Sequence, residues 1–156
     1  MNEAAEDCFR RAFAAQRAGR IEEAVELYRR SIEIEPSAEA HTFLGWAYSF
    51  QRRYEEAIEE CRRAIKVDPD FGNPYNDIGA YLIEMGRWDE AVPWFEKAME
   101  APRYEPRHFP HFNLARVHVH GFEYDLAVRQ LEKAVELEPG YEPAKREIAR
   151  LLARMN

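Results

Sequence analysis

Leu44-Gly45-Trp46-Ala47-Tyr48, followed by Tyr54-Glu55-Glu56-Ala57, Ala64 and Asp68-Pro69, is the stretch whose spacing decides the fold. Gly45, Ala57 and Ala64 are small, and the larger Cys61 lies between the last two. Small residues at these intervals let two helix backbones approach closely, while larger neighbours fill the room between turns. The stretch predicts two antiparallel helices joined by a tight turn at Arg52. Pro69 ends the second, because proline lacks the amide hydrogen and restricts the residue before it.

Working outward, the same unit recurs at Ala24, Ala57, Ala91 and Ala127, spaced by 33, 34 and 36 residues. A second small residue follows each at Ser31, Ala64, Ala98 and Ala134, with Tyr28, Cys61, Phe95 and Leu131 between the two. Upstream, Ala12, Gly45, Gly79 and Ala115 hold the matching close-approach positions, and Pro36, Pro69 and Pro139 close three of the units. A fixed period of this length marks a stack of supersecondary units. Each unit is read as a first helix (A), a turn near Gly19, Arg52, Gly86 or Gly121, and a second helix (B). After Pro139-Gly140, Ala144, Ile148, Leu151, Leu152 and Met155 share one face of a last amphipathic helix, which suits a solubilising cap.

This pattern resembles the tetratricopeptide repeat family. The resemblance covers about residues 5 to 141, and the third unit carries it through Tyr75, Ile78-Gly79, Gly86-Arg87-Trp88-Asp89-Glu90-Ala91, Phe95 and Ala98. It implies an all-α, right-handed superhelical solenoid of antiparallel helix pairs, nine helices in one domain. The repeats are expected at 5–37, 38–71, 72–107 and 108–141, with a capping helix at 142–155. Five departures stand out. Arg11 stands where the family has leucine and Ala15 where it has tyrosine, with the Arg11 stem expected along the open edge of the core. Phe122 stands where the fourth turn should have glycine. Pro93 interrupts helix 3B, and the junction Ala101–Arg107 is two residues longer than the regular spacing, reading as a stiff connector.

Composition bounds the function. The chain has 156 residues, 46% hydrophobic and 33% charged, which suits one folded domain rather than a disordered segment. A net charge of -7 argues against a general nucleic-acid binder, which has to neutralise phosphates with a basic face. The start, Met1-Asn2-Glu3-Ala4-Ala5-Glu6-Asp7, has neither the basic nor the apolar region of a secretory leader. No apolar run reaches bilayer-spanning length. Cys8 and Cys61 have neither metal-type nor redox-type spacing. A cytoplasmic, reducing location is the expectation.

His108, His111, His118 and His120 are close in sequence but lack an HExxH or cysteine companion, so packed or surface roles are expected and no metal. Cys8 and Cys61 fall at core positions and are read as small hydrophobes. The acid pairs Glu22-Glu23, Glu55-Glu56 and Glu59-Glu60 lie in the opening turns of B helices, where carboxylates suit the helix dipole and are expected to be mostly solvated. Phosphate-binding and nucleophile-elbow motifs are lacking, so no enzyme and no cofactor are expected.

What remains is the concave surface that A helices line in the family. Carried over residue by residue, it takes Glu6, Phe9, Phe13, Gln16 and Arg17 from the first repeat, and Glu39, Thr42, Trp46, Ser49 and Phe50 from the second. The third supplies Asn73, Asn76, Ala80, Ile83 and Glu84, and the fourth Phe109, Phe112, Arg116, Val119 and His120. Six of these 20 positions are aromatic, against 13% of the chain, so the expected face is apolar and nearly neutral. For each aromatic the competing reading is core packing between neighbouring A helices, most of all for Phe9 and Phe112. The favoured expectation is a scaffold or adaptor that binds a partner protein as a peptide or amphipathic helix, with Phe13, Trp46 and Phe50 as central anchors. Self-association into a homo-oligomer is the alternative. The carboxylate clamp of some co-chaperone relatives is disfavoured, since Phe9, Phe13 and Phe43 occupy polar clamp positions and Asp77 a basic one.

Overall fold

A computed structural model of the chain describes residues 2–156. Among them lie nine α-helices: α1 (Glu3–Arg17), α2 (Ile21–Ile34), α3 (Ala38–Phe50), α4 (Tyr54–Val67), α5 (Asn73–Glu84), α6 (Trp88–Glu100), α7 (His108–His120), α8 (Tyr124–Leu137) and α9 (Glu142–Met155). The odd-numbered members of the first eight are A helices and the even-numbered ones B helices. Each A helix packs most extensively on the B helix that follows it. No helix among the described residues is long and apolar enough to cross a membrane.

The four A-to-B turns share one local solution. The amide nitrogens of Arg20, Arg53, Arg87 and Glu123 donate to the carbonyls of Ala15, Tyr48, Leu82 and His118, at 2.8 to 3.0 Å. This long back-bond needs a left-handed residue at the helix end. Gly19 (φ 82°) and Gly86 (φ 76°) supply it without strain, whereas Arg52 (φ 59°) and Phe122 (φ 60°) do so against their side chains. Phe122 thus occupies the expected glycine position, and Gly121 before it caps α7 with an ordinary φ of -85°. Three turns add a second device: the arginine before the B helix bonds the glutamate three residues on, in Arg20–Glu23, Arg53–Glu56 and Arg87–Glu90. The fourth turn has Glu123 there instead, 3.2 Å from His118. On the A helices, Asn2 and Ser37 cap α1 and α3 by accepting from Ala5 and Ala40 at 2.9 and 3.0 Å.

Packing follows the repeat. Ala24, Ala57, Ala91 and Ala127, their later partners Ser31, Ala64, Ala98 and Ala134, and the intervening Tyr28, Cys61, Phe95 and Leu131 are all fully buried. The glycines mark the tightest crossings. A methyl group on Gly45 would lie 2.9 Å from the Ala57 carbonyl oxygen, and one on Gly79 would lie 2.4 Å from the Phe95 ring. Pro93 sits inside α6 and the helix continues through it, losing one amide donor near its start.

The connector after α6 is stitched to the previous inter-repeat loop. Gly72 donates to the Arg103 carbonyl at 2.8 Å and Arg103 to that of Asp70 at 3.1 Å, while Tyr104 buries its ring over Gly72. The Arg103 side chain pairs with Asp68 and with Glu39. The two extra residues are therefore used in packing.

Two expectations change. Arg11 is exposed and lies 3.8 Å from Asp7, so its stem does not cover the core. Glu60 is buried, not solvated: one oxygen lies 2.7 Å from His41 Nδ1 and the other accepts from Arg63 at 2.5 Å. Position Glu60 faces α3, and the two nitrogen partners offset the loss of water.

Candidate partner-binding surface

Successive A helices also touch each other directly, α1 with α3, α3 with α5 and α5 with α7, while among the described residues no two B helices pack to a comparable extent. The A row is therefore the inner side of the curve and the B row the outer side.

The first two A helices carry a continuous aromatic ladder. Ring centroids are 5.0 Å apart for Phe9–Phe43, 5.8 Å for Phe13–Phe43, 5.8 Å for Phe43–Trp46 and 5.3 Å for Trp46–Phe50. Tilted and edge-on contacts at these separations hold the rings in fixed relation. Phe9, Phe13 and Trp46 are half-buried, and Phe50 is 54% exposed. The Arg17 guanidinium lies over the Phe13 ring at 5.7 Å. A pocket of about 500 Å³ opens between Phe9 and Phe43, with Glu6, Arg10 and Glu39 at its rim. Phe43 was not among the expected contact residues, although its place one helical turn before Trp46 is a readable signal.

The far end has a second aromatic group. Phe109 and Phe112 meet Tyr141, at the start of α9, nearly edge-on at 5.7 and 5.4 Å. Tyr141 also was not expected here, since nothing in the repeat pattern ties the capping segment to α7. Beside them Phe112, Arg116 and Val119 line a pocket of about 330 Å³ that reaches Leu131 and Glu147. Between the two aromatic groups the surface is polar. Asn113 donates to Asn76 at 3.0 Å, Arg116 donates to Asn113 at 3.2 Å, and Arg116 lies 3.5 Å from Glu84.

The expected residues thus divide by their surroundings. Gln16, Thr42, Asn76 and Ile83 are buried. Gln16 accepts from the Tyr28 hydroxyl at 2.8 Å, Thr42 donates back to the Ala38 carbonyl at 2.7 Å, and Ile83 lies in the main core cluster. Ser49 is half-buried and donates to the Trp46 carbonyl at 2.6 Å. Burial takes Gln16, Thr42, Asn76 and Ile83 out of reach of a partner, so they serve the wall rather than offer contact area. His120 is exposed and stacks on Trp88 at 4.1 Å, at the start of a B helix and apart from the aromatic ladder.

Titratable groups here serve packing. Burial pushes the Asp77 carboxyl up to about 7, an Asn76 hydrogen bond opposing the rise. Its charge in turn raises Cys61, Tyr81 and Tyr104, after the larger effect of their own burial. His108 is buried and its pKa is lowered by desolvation. His111 lies 2.8 Å from Gln130 and His118 3.2 Å from Glu123, so the histidines are held by separate neighbours. Among the described residues no three potential metal ligands converge, and both cysteines are buried and free.

Comparisons with known proteins agree with this architecture. The Pseudomonas aeruginosa protein pilF superposes with a TM-score of 0.90 at 27% identity, covering 98% of this chain and 69% of that one. PilW, described as a widely conserved type IV pilus biogenesis factor, gives 0.87 at 22% identity over 97% of this chain and 70% of its own. YrrB, described as a TPR protein with an unusual peptide-binding site, gives 0.66 at 21% identity, covering 95% and 76%. No curated protein sequence matches. Matches to the tetratricopeptide repeat family span residues 5–37, 38–71 and 70–139. The chain belongs to the tetratricopeptide repeat family.

Proposed function

We propose that this protein is an adaptor that holds a partner peptide or amphipathic helix along the inner, A-helix face, with the first two repeats supplying the apolar anchors. The observation that carries this reading is the ladder Phe9–Phe43–Phe13–Trp46–Phe50, rigid at its buried end and 54% exposed at Phe50. Rings pre-positioned by one another lose little freedom when a partner covers them, which favours them as binding anchors. Partner side chains would enter the pocket between Phe9 and Phe43 and lie across Trp46. Arg116 and Glu84, set in place over the buried Asn76–Asn113 pair, would face the partner's middle, and the Phe112 pocket would receive a second apolar group.

The test is a paired capture from lysate of the source organism. One bait is the native chain. The other carries Phe13→Ala, Trp46→Ala and Phe50→Ala and is checked for helicity by circular dichroism. Each true anchor contributes about 2 kcal/mol or more, so the folded variant should lose the partner by at least about a hundredfold in affinity. Equal retention by both baits would place the binding face elsewhere.

A further inference from the structure

We propose a second docking site on the outer side of the solenoid, in the wedge between α4 and α6, for an acidic segment of a partner protein flanked by apolar side chains. The site is independent of the inner-face reading. Because A helices touch and B helices diverge, the outer side opens a gap over α5, and here the gap forms a pocket of about 470 Å³. Its wall is Trp94 of α6, tilted against Tyr75 of α5 at 6.2 Å. Two cations converge on this one indole: Arg62 from α4 with its guanidinium carbon 5.3 Å from the ring centroid, and Lys97 from α6 with Nζ at 4.6 Å.

The charge arrangement sets this pocket apart. Arg20, Arg53 and Arg87 each pair with the glutamate three residues on, Arg150 pairs with Glu147 three residues before it, and Arg63, next to Arg62, is within reach of both Glu59 and Glu60. Among the described residues neither Arg62 nor Lys97 has a carboxylate within 4.0 Å, although the chain carries a net charge of -7. Even Glu100, three residues beyond Lys97 and lining the same pocket, does not close on it. The indole attracts both cations by its quadrupole, but it supplies neither with a negative charge of its own. An incoming carboxylate supplies that charge. Beside the cations, Ile65, Tyr75 and Pro102 offer apolar wall for the side chains on either side of the acid. Glu100 at the rim penalises a phosphate dianion more than a single carboxylate, so the fit is to Asp or Glu within an apolar context.

The probe is an acetylated octapeptide, Glu-Leu-Glu-Pro repeated twice, with a counterpart in which glutamine replaces every glutamate. It is titrated into the full ¹⁵N-labelled chain, reading the indole N–H resonance of Trp94, identified by its loss in Trp94→Phe. The expected result is a saturable shift of Trp94, with Trp46 unmoved, for the glutamate peptide alone. Arg62→Gln with Lys97→Gln should weaken binding about tenfold, as two exposed charge pairs together allow. Arg129→Gln with Lys133→Gln, exposed cations on another helix, should leave affinity unchanged. Lys97→Met keeps the stem over Trp94 and should weaken binding in the same direction if the double variant loses helicity. No Trp94 shift with the native chain, an equal shift with the glutamine peptide, or undiminished affinity in folded Lys97→Met would overturn the proposal. So would inorganic phosphate displacing the peptide at equal concentration, which would make the pocket a general anion site.

Discussion

Gly79→Ala should destabilise the protein even though alanine is the better helix former. Gly79 lies inside α5, and replacing glycine in a helix interior ordinarily gains about 1 kcal/mol. Here the added methyl group would meet three atoms of the Phe95 ring at 2.4, 2.7 and 2.8 Å, where ordinary contact begins at 3.4 Å. The ring has to retreat by roughly 1 Å, yet it is fully buried and has no free space to enter. Overpacking of this severity costs about 3 kcal/mol, leaving a net loss of about 2 kcal/mol. For a chain of this size that lowers Tm by about 4–8 °C. Urea unfolding followed by circular dichroism measures the free energy, and a cycle with Phe95→Leu isolates the contact. Since leucine vacates the ring positions, Gly79→Ala should cost about 1 kcal/mol less in the Phe95→Leu background. A Gly79→Ala protein as stable as the native chain, or a cycle without coupling, would refute the reasoning that this glycine exists for ring clearance.

Asp77→Asn should stabilise the protein increasingly as pH rises. The native carboxyl is raised from 3.8 to about 7, so between these values the folded state holds a proton that the unfolded state has released. Stability from this group is complete below its unfolded value and is lost as pH rises through about 7. The full shift corresponds to about 4 kcal/mol, which the solvent contact retained by Asp77 reduces to about 1–2 kcal/mol. Urea midpoints at pH 5 and pH 8 should show a clearly larger advantage of the variant at the higher value; a pH-independent difference would rule out titration as the cause. Phe122→Gly and Arg52→Gly should each stabilise by about 0.5–1 kcal/mol by removing left-handed strain, while Gly19→Ala and Gly86→Ala destabilise by a similar amount. Urea midpoints left unchanged by all four substitutions would show that these turns do not carry backbone strain.

The repeat was legible because its rules are local and recur. An alanine, a large residue and a second small residue return at near-constant intervals, and each proves fully buried. Even the displaced glycine of the fourth turn was readable, since counting from Gly86 leads to Phe122 and not to Gly121. The candidate surface was less legible. Thr42 and Trp46 lie one turn apart on the same helix, but Thr42 is buried and Trp46 is half-buried beside the open Phe50. A shift of part of a turn about the helix axis decides this, and neighbouring helices set it. Phe43 and Tyr141 join the aromatic groups through contacts between repeats or with the cap, which period-based alignment within one repeat does not encode. Glu60 was misplaced for the same reason, because its burial depends on His41 arriving from α3.

By itself, then, the sequence determined the helix pairs, their order, their turn residues and the buried small-residue seams, because backbone sterics and side-chain volume act over one repeat period. Which side chains remain on the surface, and which charges meet, was decided by tertiary structure alone. The aromatic ladder needs α1 and α3 to lie side by side, and the Arg62–Trp94–Lys97 cluster needs α4 and α6 to diverge across α5. Both depend on small inter-repeat rotations, summed over many packing contacts, that no single segment of the chain specifies.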